Sequence, residues 1–324
     1  MSTERSAKPD LGELFSEERS AEVVCASLAG SPDPRVRQVL GSLVRHLHAF
    51  VKDVELTERE WAEAIAFLTA TGHKCDDTRQ EFILLSDVLG VSMLVETINH
   101  RAVGAATEST VTGPFHVVDS PPRELGADIS LGVPGDPCLV TGRVTGPAGE
   151  PVPGAQVDVW HADAEGFYDV QRPSPGSEDG NLRGLFTTGA DGRFWFRTIV
   201  PRYYPIPVDG PVGRLLEAMA RHPYRPAHIH FIVSAPGYAT VTTHLFADDS
   251  PYLDSDAVFG VKESLVRAFP EIDDPERAEQ FGLANPFRGV DFEVSLRPAL
   301  RASAVAFAAA HLAANAGKPS TSDS

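Results

Sequence analysis

Hydrophobic side chains recur every three or four residues through the first hundred positions, which is the spacing of helices that bury one face. Asp33-Pro34 has the form of a helix start, with an N-cap followed by proline at the first helical position. Thr57 and Glu60 form a capping-box pattern before the next helix, and Gly72 is a candidate for its C-cap. A further helix is predicted from 77 or 78 to about 99, and a shorter one within 11–28.

The pattern changes near Gly104, where proline and glycine become frequent and short β-rich segments replace the helical ones. Asp191-Gly192 is a strong hairpin turn between two of the predicted strands. The predicted strands are 139–144, 156–160, 184–188, 193–199, 228–234, 240–246 and 290–296. Short helices are predicted at 214–221, 264–269 and 301–315, a solvated loop at 271–276 and disorder at 321–324.

This order of elements predicts a mainly β chain with an α-helical N-terminal domain and an antiparallel β-sandwich core. The predicted domains are a helical domain over 1–104, the β-sandwich over 105–300 and a C-terminal helix with a disordered tail over 301–324. No internal repeat or low-complexity tract is evident in the chain.

Charge and cysteine content exclude several classes of function. The 28 basic and 45 acidic residues give a formal net charge of -17, which repels phosphate backbones and anionic lipids, so we expect neither a nucleic-acid nor a membrane partner. Cys25, Cys75 and Cys138 are far apart and form no CxxC motif, which is typical of free thiols in a reducing compartment. The start of the chain lacks the apolar region of a signal peptide, and no apolar run of about 18 residues occurs, so the expected location is cytoplasmic.

A candidate metal site is indicated first by His228-Ile229-His230. Residues two apart on a strand project from the same face, so both imidazoles would point the same way and could bind one ion. Such a pair taken alone is more often two surface histidines, and it does not identify the metal.

Two of the six tyrosines lie in unusual settings, Tyr168 after a glycine-containing loop and Tyr204 beside two prolines. Taken singly, each is more often a packed aromatic residue with a hydrogen-bonded hydroxyl. A phenol has a reference pKa of about 10, so it ionises near neutrality only beside a strong Lewis acid. Fe³⁺ is hard and highly charged, and it favours anionic oxygen over thiolate. Two tyrosinates and two neutral histidines would therefore suit ferric iron better than zinc.

Several stretches together resemble the intradiol ring-cleavage dioxygenases of the catechol 1,2-dioxygenase group. The matching segments are Thr110–His116, Gly142–Trp160, Gly166–Tyr168, Tyr204–Pro211 and Arg225–His230, and the resemblance extends from the helical start to about Pro298. It implies that Tyr168, Tyr204, His228 and His230 bind Fe³⁺ and that O₂ is the co-substrate. It also implies that Tyr204 leaves the iron to accept a substrate proton, and that Arg225 lies in the active site.

Within this family the finer similarity is to the hydroxyquinol-cleaving members. It implies a substrate pocket lined by Leu84, Asp87, Val111, Gly113, Pro114, Phe115, Ile206, Pro207, Arg225 and Val258. Asp87 would accept a hydrogen bond from a third ring hydroxyl that catechol lacks, although it could also be an ordinary helix-surface aspartate. Arg225 would stabilise negative charge on the substrate, or it could only pair with a carboxylate and brace its loop. His244 falls where catechol-cleaving members usually carry glutamine.

The implied reaction converts hydroxyquinol to 3-hydroxy-cis,cis-muconate, the enol form of maleylacetate, in the breakdown of aromatic compounds. Catechol or chlorocatechol remains an alternative substrate, with a cis,cis-muconate as product. Family members are homodimers joined through their N-terminal helices, some with a lipid at that interface, which implies a homodimer here. Two other readings of the residues stay open: a prealbumin-like binding module and a zinc hydrolase built on His228 and His230. A red tyrosinate-to-iron colour would distinguish the iron enzyme from both.

Overall fold

The structure is a computed structural model that describes residues 14–76, 79–101, 104, 106–118, 120–171 and 180–299. These residues fall into two compact units that divide between Ala70 and Thr71. The helices are α1 (Ser20–Ser27), α2 (Pro34–Asp53), α3 (Glu58–His73), α4 (Glu81–Val88), α5 (Val91–Asn99), α6 (Pro211–Ala218) and α7 (Pro275–Phe281). Within the described residues, no helix is both long enough and apolar enough to cross a membrane. The cytoplasmic location stays a prediction.

The helix starts of the first unit are those that the sequence predicts. The Asp33 carboxylate accepts hydrogen bonds from the main-chain N–H groups of Arg35 and Val36 at the start of α2. Thr57 and Glu60 make the reciprocal bonds of a capping box before α3. Gly72 is not the C-cap, because α3 continues through His73.

The two longer helices of this unit, α2 and α3, carry many exposed apolar side chains. On α2 these are Val36, Val39, Leu40, Leu43, Leu47, Phe50 and Val51, and on α3 they are Trp61, Ile65 and Leu68. The spacing on each helix is that of an amphipathic helix, but the apolar stripe faces outward instead of a core.

The strands of the second unit form two main sheets. The strands are β1 (Pro137–Thr145), β2 (Gln156–His161), β3 (Arg183–Thr187), β4 (Arg193–Ile199), β5 (Tyr204–Pro205), β6 (Tyr224–Arg225), β7 (His228–Ser234), β8 (Val241–Ala247), β9 (Val266–Arg267), β10 (Glu271–Ile272) and β11 (Phe287–Ser295). One sheet has the order β10-β11-β1-β4 and the other the order β3-β2-β7-β8-β9, while β5 pairs with β6. The predicted strand positions therefore agree with the structure to within a few residues.

The two sheets pack face to face through one apolar cluster, which makes the unit a sandwich. The first sheet contributes Val140, Val144, Phe194, Phe196, Phe292 and Val294, and the second contributes Val157, Val159, Phe186, Ile229, Phe231, Val233 and Leu245. Most strand pairs are antiparallel, as predicted. However, β1 pairs with β11 in parallel, and β8 with β9 likewise. Hydrophobic alternation predicts which face a strand buries but not the direction of its neighbour.

The helices α4 and α5 belong to the same compact unit as the sandwich, whereas the sequence suggested a domain boundary near 104. Leu84, Val88 and Met93 from these helices share an apolar cluster with Val212 of α6 and Val258 of a later loop. The predicted single helix over 77–99 is in fact two helices, because Gly90 adopts a left-handed conformation with φ of 72° between them. Its predicted start at Asp77 or Thr78 lies outside the described residues.

Two predictions for the C-terminal third were wrong. The segment 264–269 is a short 3₁₀ turn, Glu263–Leu265, followed by strand β9, instead of a helix. The acid-rich stretch 271–276 is not a loop: it contains β10 and the first turn of α7, where Asp274 caps the helix by accepting from Arg277 N–H. Asp274 followed by Pro275 is the pattern of an N-cap and a first helical residue, but the acidic composition of the stretch led to the prediction of a loop. The helix predicted at 301–315 and the tail at 321–324 lie outside the described residues.

Candidate metal centre and active site

The second sheet brings His228 and His230 to one buried face. Both lie on β7, two positions apart, and neither is more than 1% exposed. Trp160 on β2 is the register partner of His230, and their rings stack with centroids 4.5 Å apart and planes 9° apart. The indole therefore fixes the orientation of the His230 ring.

Tyr204 reaches the same place through the small β5–β6 ribbon. It is the register partner of Arg225, and β6 runs almost directly into β7. The ribbon therefore places the phenol, the guanidinium and the two imidazoles within one short stretch of structure. Tyr204 is only 2% exposed.

Tyr168 lies on the loop that follows β2, and two carboxylates shape that loop. The Asp163 side chain accepts hydrogen bonds from the main-chain N–H groups of Glu165 and Phe167, at 2.8 and 2.9 Å. The next residue after the tyrosine, Asp169, forms a buried ion pair with Arg183 on β3. The loop is thus attached to the second sheet on both sides of Tyr168.

The four predicted ligand atoms converge in the folded chain. The Tyr168 hydroxyl lies 3.2 Å from the Tyr204 hydroxyl and 3.1 Å from Nε2 of His230. Nε2 of His230 lies 3.0 Å from Nε2 of His228. Two donor atoms that each lie about 2.1 Å from one ion at a right angle are about 3 Å apart. The spacing of these four atoms therefore fits a single metal ion.

The proton positions of the histidines also favour a cation at this point. Nδ1 of His228 lies 2.7 Å from the carbonyl oxygen of Pro226, which can only accept, so the proton of the neutral ring is on Nδ1. The lone pair of Nε2 is then directed towards His230. Burial lowers the pKa of both His228 and His230 well below the usual range, which keeps both rings neutral.

The properties of the two phenols also favour a cation at this site. Burial raises the pKa of Tyr168 well above its usual range, and the adjacent Tyr204 hydroxyl raises it further. A buried phenolate is costly without a cation beside it. The donor set, two phenols and two neutral imidazoles, suits a hard, highly charged metal ion that would make the phenolates stable.

His244 on β8 is a third buried histidine at this site, and with His228 and His230 it forms a group that could hold a metal. However, its Nε2 lies 2.8 Å from Nδ1 of His230, on the side of that ring away from the tyrosines. The two nitrogens of an imidazole point in different directions, so His230 cannot use both for one ion. A metal that also contacts Tyr168 binds Nε2 of His230, and His244 is then a hydrogen-bond partner instead of a ligand.

Arg225 makes the carboxylate pair considered for it from sequence, and its guanidinium also lies beside the candidate ligand atoms. Its guanidinium pairs with the Asp256 carboxylate at 3.1 Å, and both side chains are 2% exposed. Nη1 also lies 3.2 Å from Nε2 of His228, beside the ligand atoms. Burial by itself would lower the pKa of Arg225, but the charge of Asp256 raises it, so the side chain stays cationic. Asp256 is itself held by the main-chain N–H of Gly260.

A cavity of about 650 Å³ lies beside the ligand group. Six of the predicted pocket residues line it: Leu84, Asp87, Gly113, Pro114, Phe115 and Pro207. Phe115 connects the cavity to the ligand group, because its ring stacks on Tyr168 with centroids 4.6 Å apart. A Cβ added at Gly113 would lie 3.1 Å from the His230 ring, so glycine allows this wall to approach the ligand closely.

The other predicted pocket residues lie behind that lining. Val111, Ile206 and Val258 are packed with Leu84 in the apolar cluster that supports the wall, and none of them lines the cavity itself. Arg225 lies with the ligand group. The ten residues therefore lie in one region: six line the cavity, three pack behind that lining, and Arg225 lies beside the candidate ligand atoms.

Asp87 is a buried carboxylate on this wall, so the helix-surface alternative is wrong. It is 6% exposed, and burial raises its pKa above the usual range. A Ser92 hydrogen bond and the charge of Arg225 act in the opposite direction. A buried carboxylate in an otherwise largely apolar wall is a strong hydrogen-bond acceptor for a ligand hydroxyl.

Comparisons with known proteins agree with this arrangement. A family model described as "Dioxygenase" matches residues 112–298, and one described as "Catechol dioxygenase N terminus" matches residues 33–107. The chain is 56% identical over 283 residues to a hydroxyquinol 1,2-dioxygenase of Rhizobium sp. (strain MTP-10005), covering 87% of this chain and 96% of the relative. The chain belongs to the intradiol ring-cleavage dioxygenase family.

Two further relatives add a solved structure and an enzyme named for a different substrate. The crystal structure of a hydroxyquinol 1,2-dioxygenase from Pseudomonas putida superposes with a TM-score of 0.80 at 49% identity, covering 87% of this chain and 99% of that one. A catechol 1,2-dioxygenase of Candida albicans is 39% identical over 259 residues, covering 79% of this chain and 85% of the relative. Family membership makes this dioxygenase an enzyme instead of a prealbumin-like binding module, and it implies a non-haem iron.

Sequence reasoning missed the residues that support the four candidate ligands. Asp256, Asp169 and Arg183 are ordinary charged residues in the sequence, and their role depends on pairings across the fold. His244 was noticed only as a position where catechol-cleaving members usually carry glutamine, and its contact with Nδ1 of His230 was not foreseen. Its register partner on β7 is His230, and strand pairing cannot be read from the sequence alone.

We predict that His244→Leu lowers the affinity of the dioxygenase for iron about 10- to 100-fold, the usual cost of removing a partner of a ligating histidine. A metal at Nε2 of His230 leaves the ring proton on Nδ1, which then donates to Nε2 of His244, while Nδ1 of His244 bonds to the Thr110 hydroxyl at 2.9 Å. His244→Gln, which keeps one acceptor and one donor, should retain most of the iron. Iron per chain after dialysis against a chelator is the measurement.

The matched control for this pair is His161→Gln. His161 is also fully buried and also hydrogen-bonds a threonine hydroxyl, that of Thr198, but it does not touch the four ligand atoms. If His244→Leu loses no iron, or only as much iron as the His161 variant, then His244 does not hold His230.

Proposed function

We propose that the chain cleaves hydroxyquinol (1,2,4-trihydroxybenzene) with O₂ between its two adjacent hydroxylated carbons, giving 3-hydroxy-cis,cis-muconate, the enol form of maleylacetate. The observation that carries this proposal is the buried carboxylate of Asp87 on the wall of the cavity beside the four converging donor atoms. Catechol has no third hydroxyl to use such an acceptor. The relatives named hydroxyquinol 1,2-dioxygenase support the same substrate.

Ferric iron is the cofactor that we assign to Tyr168, Tyr204, His228 and His230. Two phenolates favour the trivalent state, and the two neutral imidazoles complete the donor set without adding negative charge. When bound, the ion would supply the Lewis acidity that lets an ortho-diol bind as its anion and that activates the ring towards O₂.

Tyr204 is the residue that we assign to proton transfer from the substrate. Its hydroxyl is at the edge of the donor set, 3.2 Å from Tyr168, and its register partner is the cationic Arg225. A phenolate beside a fixed positive charge can accept a proton from an arriving diol hydroxyl. Tyr168, enclosed by Phe115 and attached through Asp169 to Arg183, keeps its position during this transfer.

Arg225 stabilises the negative charge that the deprotonated substrate brings into the site. The guanidinium lies beside His228 and is fixed by Asp256, so it needs no rearrangement when an anion arrives. The apolar side chains of Leu84, Ile206 and Val258 exclude water from the opposite wall, which strengthens these electrostatic interactions.

Catechol or a chlorocatechol is the second candidate substrate. The Candida albicans relative is named catechol 1,2-dioxygenase, and a 55% identical relative from Cupriavidus pinatubonensis is named 6-chlorohydroxyquinol 1,2-dioxygenase. These names are compatible with substituted rings as substrates. The carboxylate of Asp87, however, favours a ring hydroxyl at the position that faces it.

We also infer that the chain forms a homodimer through its N-terminal helices. The exposed apolar side chains of α2 and α3 form stripes at helical spacing, and contiguous apolar surface of this kind typically marks an interface. A lipid held by the same surface is compatible with its apolar character. Within the helical segment 1–104, α2 and α3 would then serve dimerisation, while α4 and α5 belong with the sandwich over 105–300 that would carry the ferric site.

The experiment that tests the proposed reaction is oxygen uptake by the purified protein with hydroxyquinol, catechol and chlorocatechols side by side. We expect the highest kcat/KM for hydroxyquinol, one O₂ consumed per ring, and both atoms of ¹⁸O₂ in the acyclic product. A colourless protein without iron that consumes no O₂ with any of these rings would overturn the proposal.

Tyr204→Phe should reduce kcat about 10²- to 10⁴-fold, which is the usual contribution of a positioned acid or base. We expect part of the iron to remain, because three of the four donor atoms are unchanged. The control is Tyr203→Phe, a neighbouring tyrosine whose ring packs against Tyr224 and Tyr252 instead. Full turnover in the Tyr204 variant would remove the residue from proton transfer.

Asp87→Ala should lower the ratio of kcat/KM for hydroxyquinol to that for catechol about tenfold or more, which corresponds to the loss of a hydrogen bond to a charged group. The ratio is measured by initial rates of O₂ uptake. Glu279→Ala, which removes an exposed carboxylate from α7, is the control for a change of charge alone. An unchanged ratio in the Asp87 variant would exclude this carboxylate from substrate selection.

Light scattering on the purified protein should give about twice the chain mass of 34.8 kDa. Leu43→Asp with Phe50→Asp, both on the exposed stripe of α2, should shift the mass to that of one chain. Solvent extraction followed by mass spectrometry would identify any lipid. A single-chain mass for the unmodified protein would contradict the dimer.

A further inference from the structure

Arg221 follows α6 and connects one wall of the substrate cavity to the loop packed behind that wall, two segments that are distant in sequence. Nη1 donates to the carbonyl oxygen of Val88 at 2.5 Å, and Nη2 donates to the carbonyl oxygen of Ala257 at 2.9 Å. Both bonds go to main-chain atoms, so they fix the backbone and not merely a side chain. The guanidinium also lies over the Phe259 ring, 4.7 Å from its centroid.

Each of the two carbonyls belongs to the sequence neighbour of a pocket residue. Val88 follows Asp87 and is the last residue of α4, while Ala257 precedes Val258 and follows Asp256. The Arg221 side chain therefore joins the helix that carries Asp87 to the loop that carries Val258 and the partner of Arg225.

The chemistry of the two acceptors suits an arginine in particular. A carbonyl in the last turn of a helix lacks a partner within the helix and lies at the negative end of its dipole, so a cation is favoured there. The planar guanidinium can bind two acceptors at once in a fixed geometry, whereas a lysine ammonium is a point charge on a flexible stem. The Phe259 ring fixes the plane of the Arg221 guanidinium from one side. The same ring lies against Gly90, just after α4.

Among the described residues, the other packing contacts between these two segments are mainly apolar. Val88 and Ala257 share a cluster with Leu84, Met93 and Val258, which holds the segments together but is non-directional. Because apolar contacts allow small sliding movements, the spacing of the segments depends on the two directional bonds of Arg221.

We propose that Arg221 is a positioning residue that sets the substrate selectivity of the enzyme by holding the Asp87 wall at a fixed spacing from the Val258 loop packed behind it. The third ring substituent is selected at the Asp87 wall, so the inference rests on the proposed function. Arg221 touches neither the substrate cavity nor the four ligand atoms, and it acts through Asp87, Val258 and the Asp256–Arg225 pair.

The test compares Arg221→Met and Arg221→Lys with the unmodified protein. Arg221→Met keeps the apolar stem but removes both donors, and we expect the hydroxyquinol-to-catechol ratio of kcat/KM to fall about tenfold, through KM for hydroxyquinol. The Arg221→Lys variant can bind only one of the two carbonyls well. Its ratio of kcat/KM should therefore lie between those of Arg221→Met and the unmodified protein. Iron content and the tyrosinate-to-iron absorption band should be unchanged in both variants.

Arg197 provides a matched control. Its guanidinium also joins two main-chain carbonyls, those of Gly126 and Gly282, at 3.0 and 2.9 Å, but neither is beside a cavity residue. Arg197→Met should lower the melting temperature by a similar amount without changing the substrate ratio. An equal change of ratio in the Arg197 and Arg221 variants, or none in either Arg221 variant, would overturn the proposal.

A second measurement separates this inference from the proposed reaction. Titration of hydroxyquinol and catechol into the iron-loaded protein without O₂ gives two dissociation constants from the change in the absorption band. Weaker discrimination between the two ligands in Arg221→Met supports the positioning role even if the product differs from the one proposed. Equal discrimination in the variant and the unmodified protein counts against it, whatever the reaction proves to be.

Discussion

The candidate site depends on the burial of four potential metal-binding groups against one another. Tyr168, Tyr204, His228 and His230 are almost completely enclosed, and their donor atoms lie about 3 Å apart. With the ring proton of His228 committed to the Pro226 carbonyl, its other nitrogen has a lone pair, which lies 3.0 Å from Nε2 of His230 and 3.2 Å from the Arg225 guanidinium. A cation is the simplest partner that satisfies all four groups, and the family implies that this cation is iron.

The supporting residues keep these donors in place by charge and hydrogen bonding more than by apolar packing. Asp256 neutralises Arg225, Asp169 pairs with Arg183 beside Tyr168, and His244 bonds to the free nitrogen of His230. Each of these partners is buried, and so each bond is strong because water does not compete for it. The sandwich supplies the rigid face, and these side chains direct the ligands within it.

The substrate cavity is built differently, from apolar walls contributed by distant parts of the chain. The α4 helix and the segment Gly113–Phe115, which line the cavity, and the loop around Val258, which packs behind them, meet only in the folded protein. An apolar surface of this kind selects by shape, and one methylene changes affinity only modestly, whereas a buried carboxylate discriminates strongly by hydrogen bonding. In the proposed function, Asp87 and the spacing that Arg221 imposes therefore matter more for selectivity than the area of the apolar wall.

The sequence by itself determined the strands and most helices, because alternation, helical spacing and capping residues such as Asp33 act over a few neighbours. It also determined the candidate ligand pair on β7, since the period of a strand places His228 and His230 on one face. Tertiary structure alone decided the parallel pairing of β1 with β11, the partners of Arg225 and His230, and the joining of α4 to the sandwich. Those features depend on contacts between residues up to about 150 positions apart, and no local pattern specifies which distant surfaces meet.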